Sequence, residues 1–190
     1  MLPELVLASA SPRRLVLLAQ IGIVPARVMA ADIDETPRRD EPPRELVRRL
    51  ARAKVEFVAS PGMCVLGADT VVALGRRVLP KAEDAATCRA CLGKLSGRRH
   101  TVLTAIVLLA PDGRRTERVA ESVVAFSRLT PEQIEAYVAG GEWQGKAGGY
   151  AIQGAAASFV RFLSGSYSNV VGLPLFETAQ LLRGIGWAVP

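Results

Sequence analysis

Leu7-Ala8-Ser9-Ala10-Ser11-Pro12-Arg13-Arg14 is the stretch whose reading decides the fold. An apolar run, Leu5 to Leu7, leads into it and reads as a strand. Ser11 stands where a helix N-cap belongs and Pro12 where the first helical residue belongs. Proline is tolerated there because the N–H it lacks would have no intrahelical partner. Small residues at 8, 9 and 10 open the backbone to close approach. The stretch therefore describes a strand, a tight turn and a helix N-terminus. Such a terminus aims N–H groups and the positive end of a helix dipole at an anion. Arg13 and Arg14 in the first turn are unfavourable beside that end unless an anion joins them, and guanidinium forks suit phosphate. A capped helix with two solvated arginines is the plainer account of the same residues.

Working outward, the first helix runs from Pro12 to about Ile21, with Leu15, Leu18 and Ala19 as its core stripe and Gly22 as its stop. Ala26 to Ala30 reads as a short strand, and Asp32 to Pro37 as an acidic loop. A long helix follows from Arg44 to about Ala59, its buried period set by Leu46, Leu50, Phe57 and Val58. Met63 to Leu74 is β-rich but interrupted by Gly67-Ala68-Asp69-Thr70, and Gly75-Arg76-Arg77 turns it back through Val78-Leu79. Glu83 to Leu95 reads as a helix closed by Ser96-Gly97. Strands Thr101 to Leu109 and Thr116 to Phe126 flank Pro111-Asp112-Gly113 and should pair antiparallel. Along the second, Val119, Glu121, Val123 and Ala125 show half-buried alternation. Thr130-Pro131 opens a helix to about Ala139, and residues 140 to 154 hold six glycines. A strand from Phe159 to Leu163 and a helix from Pro174 to Leu182, stopped by Gly184 or Gly186, complete the chain. Hairpins among helices predict an α/β fold with a mixed sheet, in a single domain over residues 1–190.

Of the 190 residues, 49% are hydrophobic, enough for a sizeable core, but only 5% are aromatic, so that core is chiefly Ala, Val and Leu. The net charge of +6 favours anionic partners without choosing among them. No run approaches the ~20 apolar residues of a membrane span. Acidic Glu4 and the absence of a basic start argue against a signal peptide. Three cysteines, Cys64, Cys88 and Cys91, are an odd set for a disulfide framework, and a reducing, cytoplasmic compartment is expected.

Asp69 is the most suggestive carboxylate. It follows the apolar Cys64-Val65-Leu66 and is expected at a strand end, with Gly67 and Ala68 leaving room beside it. A carboxylate so placed can hold Mg²⁺ or orient an attacking water, or it can bind its own backbone in a turn. Asp34 and Glu35 could complete a hard-metal oxygen site. Lys54 and Lys81 are candidate phosphate ligands, each with an ordinary surface lysine as the plainer account. Gly140 to Lys146 matches most of a phosphate loop, but Ala147 replaces its Ser or Thr, a helix precedes it instead of a strand, and Gly148-Gly149 follows instead of a helix. Cys88 and Cys91 have metal spacing inside a helical pattern, with no second pair to complete a zinc site.

Leu7 to Arg14, Arg49-Leu-Ala-Arg-Ala-Lys54, Gly67-Ala-Asp-Thr70, Lys81 with Asp84-Ala85, Ser96 to Val102, Gly149-Tyr-Ala-Ile-Gln-Gly154 and Ser166 to Pro174 occur in an order that resembles the Maf family of nucleotide pyrophosphatases. The resemblance spans nearly the whole chain. It implies a two-lobed fold around a long mixed sheet with a central cleft, like inosine-triphosphate pyrophosphatases. It also implies house-cleaning hydrolysis of a nucleoside triphosphate to the monophosphate and pyrophosphate with Mg²⁺ or Mn²⁺. In that scheme Asp69 matches the catalytic base, and Asp69 and Glu35 are the expected metal ligands. Ser9, Arg13, Lys54 and Lys81 match phosphate-binding positions. Arg14, Thr70 and Gln153 match the branch acting on dTTP and UTP. The branch acting on 7-methyl-GTP carries bulkier, acidic and imidazole-bearing residues there. Pro80 and Ala82 depart from the family's Glu and Pro around Lys81. The expected partner is a small nucleotide, with no membrane and a homodimer left open. A non-catalytic nucleic-acid-binding module is the competing class, suggested by the arginines but lacking interleaved aromatics. A regulatory role in septation on the same fold is a third reading.

Overall fold

The fold is described from a computed structural model covering residues 3–190. Strands β1 (Leu5–Ala8), β2 (Arg27–Val28), β3 (Cys64–Leu74), β4 (Arg77–Leu79), β6 (Arg99–Leu109), β7 (Arg115–Phe126) and β9 (Val160–Ser164) form one sheet. Its order is β2-β1-β3-β6-β7-β9, with β4 paired to β3. Strand β1 runs parallel to β2 and β3, while β3–β4 and β7–β9 are antiparallel, so the sheet is mixed. A separate ladder joins β5 (Lys81–Ala82) to β8 (Lys146–Ala147). The helices are α1 (Pro12–Gln20), α2 (Pro43–Val58), α3 (Ala85–Leu95), α4 (Pro131–Gly140), α5 (Tyr167–Val171) and α6 (Leu175–Arg183), and a 3-10 turn spans Ala155–Phe159. No helix among the described residues is long and apolar enough to cross a membrane.

The chain divides into two compact units, and it passes between them in mid-strand. The first holds residues up to Asp69, Thr104–Ala120 and Gly172–Pro190; the second holds Thr70–Leu103 and Glu121–Val171. The core of the first is built on β1 and the start of β3, with Leu46, Val47, Leu50 and Val55 of α2 buried. The core of the second centres on Phe126, whose ring meets His100, Tyr150 and Phe159 edge-on at centroid distances of 5.1, 4.9 and 5.9 Å.

Four local readings are corrected. Helix α1 buries Arg14, Leu17 and Leu18, whereas Leu15 is half-buried and Ala19 exposed. The stripe rotates because the Arg14 guanidinium finds acceptors inside. Phe57 of α2 is exposed, since Val55 and Val58 take the core positions. Strand β3 is continuous through Gly67-Ala68-Asp69-Thr70, so Asp69 is a mid-strand residue. Strand β7 buries Ala120, Ser122, Val124 and Phe126, the opposite phase to the alternation expected through Val119, Glu121 and Val123, while Ala125 of that set is buried as well. Ser122 can face inward because its hydroxyl donates to the Ser166 carbonyl at 3.1 Å and accepts from Asn169 Nδ2 at 2.8 Å. The short α5, which carries Asn169, was not expected.

Candidate active site

The turn after β1 forms as the sequence predicts, with one change in who caps whom. Ser11 occupies the N-cap of α1, but its hydroxyl makes no capping bond. The hydroxyl of buried Ser9 accepts instead, from the Ser11 N–H at 3.2 Å and from Arg14 Nη1 at 2.8 Å. Arg14 Nε donates to the Gly172 carbonyl at 2.8 Å, so this arginine ties the turn to the segment before α6. Burial lowers the Arg14 pKa from its ordinary value, and the charges of Asp69 and Glu35 act in the opposite direction. Arg13, in the same turn, is half-buried.

A glycine explains how Asp69 meets its partner. A Cβ at Gly67 would lie 2.5 Å from Val55 Cγ2 and 3.1 Å from the Ala51 carbonyl oxygen, so α2 rests directly on β3 there. Asp69 lies two residues along on the same face of the strand. Lys54, on the same helix as Ala51 and Val55, reaches it: Nζ to Asp69 Oδ1 is 2.5 Å. The same ammonium lies 2.8 Å from Glu35 Oε1. Side-chain exposures of 3% for Asp69, 9% for Lys54 and 31% for Glu35 show a cluster opening on the Glu35 side.

The acidic loop is folded onto α2 by Arg49. Its guanidinium bonds both Glu41 oxygens at 2.7 and 2.8 Å and the Thr36 carbonyl at 3.0 Å. Asp34 is turned away from the cluster, accepting the Thr36 N–H at 2.9 Å and lying exposed, so of the two acids considered only Glu35 joins Asp69. The Arg49 bond holds the Glu41 carboxyl down at about 2. Sequence reading missed this brace, although Glu41 and Arg49 flank the start of a recognisable helix.

Thr70, Lys81 and Gln153 belong to the second unit. Thr70 follows Asp69 on β3 and is half-buried. Lys81 is exposed on β5, opposite Ala147. Gln153 is exposed on a turn that the Gly154 N–H closes onto the Ala151 carbonyl at 3.1 Å. Behind that turn Tyr150 Oη meets His100 Nε2 at 2.8 Å, and burial holds His100 down at about 4.

Asp69 and Glu35 already converge on one cation, the Lys54 ammonium, which is the arrangement a hard divalent ion would need. Two carboxylates suit a metal that completes its shell with water and substrate phosphates. Among the described residues no group of three or more His, Cys, Asp or Glu assembles. The three cysteines are free and buried, and burial pushes Cys64 and Cys88 up to about 11, which makes them poor thiolate ligands.

The fold, α/β around a long mixed sheet, is shared with a solved structure. A HAM1 protein from Coxiella burnetii superposes with a TM-score of 0.52 at 18% identity, covering 97% of this chain and all of that one (100%). The chain belongs to the Maf family: the family's profile, described as Maf-like protein, matches residues 4–185. It is 66% identical over 189 residues to the dTTP/UTP pyrophosphatase of Gluconobacter oxydans, covering 96% of this chain and 87% of that protein. It is 61% identical over 201 residues to the dTTP/UTP pyrophosphatase of Granulibacter bethesdensis, covering 96% and 93%.

Proposed function

We propose that this chain is a nucleoside triphosphate pyrophosphatase that hydrolyses dTTP and UTP to the monophosphate and pyrophosphate. The observation that carries this reading is the buried Asp69 carboxylate, held with Glu35 on one ammonium, in a chain whose relatives at over 60% identity bear that activity's name.

Water attacks and the bond between the α and β phosphates breaks, with pyrophosphate as leaving group. Asp69 accepts the proton of the attacking water, a task for which it must be ionised. Lys54 pairs with it in the resting protein and is positioned to pass its ammonium to an incoming phosphate. Ser9, Arg13 and Lys81 are the further phosphate ligands, supplying donors where negative charge develops on the leaving group. A bound Mg²⁺ or Mn²⁺, held by Asp69 and Glu35, would neutralise phosphate charge. Gln153 offers a donor and an acceptor to the edge of uracil or thymine. With Arg14 and Thr70 it sets the choice of base. The site of action is the cytoplasm, which suits the free thiols.

The test is a product assay on purified protein with dTTP, UTP, CTP and 7-methyl-GTP. Pyrophosphate and monophosphate are expected, with kcat/KM highest for dTTP and UTP. Release of inorganic phosphate and a nucleoside diphosphate, or a preference for 7-methyl-GTP, refutes the assignment.

A further inference from the structure

We infer that Glu142 is a positioning residue for Gln153, acting through a carboxylate clamp that Gly154 makes room for. The inference rests on the base-reading role proposed for Gln153.

The turn Ala151–Gly154 is pinned at both ends. On its leading side the Ala151 N–H donates to Tyr137 Oη at 3.0 Å, in a buried contact. On its trailing side the Ala155 N–H, the first of the 3-10 turn, donates to Glu142 Oε2 at 2.8 Å. A bond to a carboxylate is stronger than one to a neutral acceptor. Gly154 is what admits that carboxylate: a Cβ there would lie 2.0 Å from Glu142 Oε2 and 2.7 Å from its Cδ. Its φ of −113° is open to any residue, so the glycine serves space rather than backbone freedom.

Both clamps issue from the end of α4. Tyr137 lies in the helix. Gly141 then caps it in the left-handed conformation at φ 72°, sending the chain back so that Glu142 follows directly. Trp143 Nε1 donates to the Val138 carbonyl at 2.7 Å, which fastens the residue after Glu142 to the same helix. The opposite side of the loop is tied to Lys81's ladder, where the Gly145 N–H bonds the Ala82 carbonyl at 2.9 Å and the Gly148 N–H bonds the Pro80 carbonyl at 3.0 Å. Gln153 is an exposed long polar residue on a turn fixed on each flank. Glu142 is itself exposed. An exposed hydrogen bond adds little to stability, so its consequence lies in where Gln153 is held.

The experiment compares E142A, E142Q, G154A, Q153A and the E142A/G154A pair. In E142A, KM for dTTP should rise about tenfold with kcat within about twofold, the pattern of lost binding rather than lost chemistry. The dTTP/CTP ratio of kcat/KM should fall about fivefold, because a mobile amide rejects the wrong edge less well. E142Q keeps an acceptor oxygen and should restore most of both. G154A should displace the carboxylate and reproduce E142A, and the pair should be no worse than either single change, as expected of residues sharing one contact. Hydrogen exchange of the Ala155 amide gives a readout independent of activity and should be faster in E142A. Wild-type KM and selectivity in E142A, when Q153A degrades both, overturns the inference. If Q153A leaves selectivity untouched while Ala155 loses protection in E142A, the base-reading role is what fails, and the positioning role of Glu142 falls with it.

Discussion

Around Lys54 the first unit gathers opposite charges out of water, whereas around Gln153 the second fixes a turn with a phenol, a glycine contact and one exposed carboxylate. Burying charge costs several kcal/mol per ion, and a buried pair is easily unbalanced when a partner leaves. On the proposed function, the ammonium shared by Asp69 and Glu35 moves to a phosphate once a polyanion arrives. The turn has no such freedom. Its bonds to Tyr137 and Glu142 are made within the chain itself, and discrimination between similar bases needs groups already in place. On the proposed function, the difference separates two tasks, redistribution of charge during hydrolysis and presentation of a reading edge.

The largest effect that tests this contrast is chemical. Asp69→Asn should lower kcat by ~10²–10⁴ while the fold persists, because an amide cannot take the proton. Pyrophosphate release measures it, and a rate near that of the native chain would remove Asp69 from the reaction. Next comes the unbalanced cluster. Lys54→Met should leave two carboxylates facing one another and lower the free energy of unfolding by about 3–5 kcal/mol in urea titration. A change below about 1 kcal/mol, the scale of an exposed pair, would show that these charges are effectively solvated.

On the other side of the comparison, Gly148→Ala probes backbone rather than charge. Gly148 has φ +66°, and a Cβ there would meet three Val72 side-chain atoms at 2.9–3.1 Å. The left-handed backbone and the crowding should together cost about 2–3 kcal/mol in thermal unfolding. A neutral result would mean the loop yields where the contrast requires it to be stiff.

The smallest effect is with pH, and it separates the regions by window. His100 is held at about 4 against an ordinary 6.5, so below pH 6.5 the unfolded chain takes up a proton the folded chain refuses. Stability should therefore fall as the pH drops from 6.5 towards 4, by about 1–2 kcal/mol at pH 5. Glu41 and Glu117 are held at about 2 against 4.5 by Arg49 and by Arg52 with Arg48, so what they contribute is present above pH 4.5 and lost as pH falls towards 2. Urea midpoints across pH should show two declines. His100→Asn should remove the upper one, and Glu41→Gln should reduce the lower.

Most elements follow from local chemistry that reaches only a few residues along the chain. Pro12 after Ser11 starts α1, and Gly22 ends it at φ +73°. Thr130 and Gln133 form a capping box at the start of α4, their bonds 3.3 and 2.9 Å long. The anion-facing turn, the long α2, the hairpin at Gly75 and the Maf motifs are all visible in one dimension. What escaped is which polar groups go inside. Arg14 and Ser122 stand outside the apolar periods read for α1 and β7, and they face inward because acceptors and donors at Gly172, Ser166 and Asn169 wait for them. Asp69 sits in mid-strand because Gly67 lets α2 come close enough for Lys54 to reach it. Nothing near Glu142 in sequence announces that it meets Ala155. Capping, glycine conformation and periodicity act locally, so the elements and the family can be read along the chain. Partners are chosen in three dimensions, because a buried charge or hydroxyl is tolerated only where distant parts of the chain supply its counterpart.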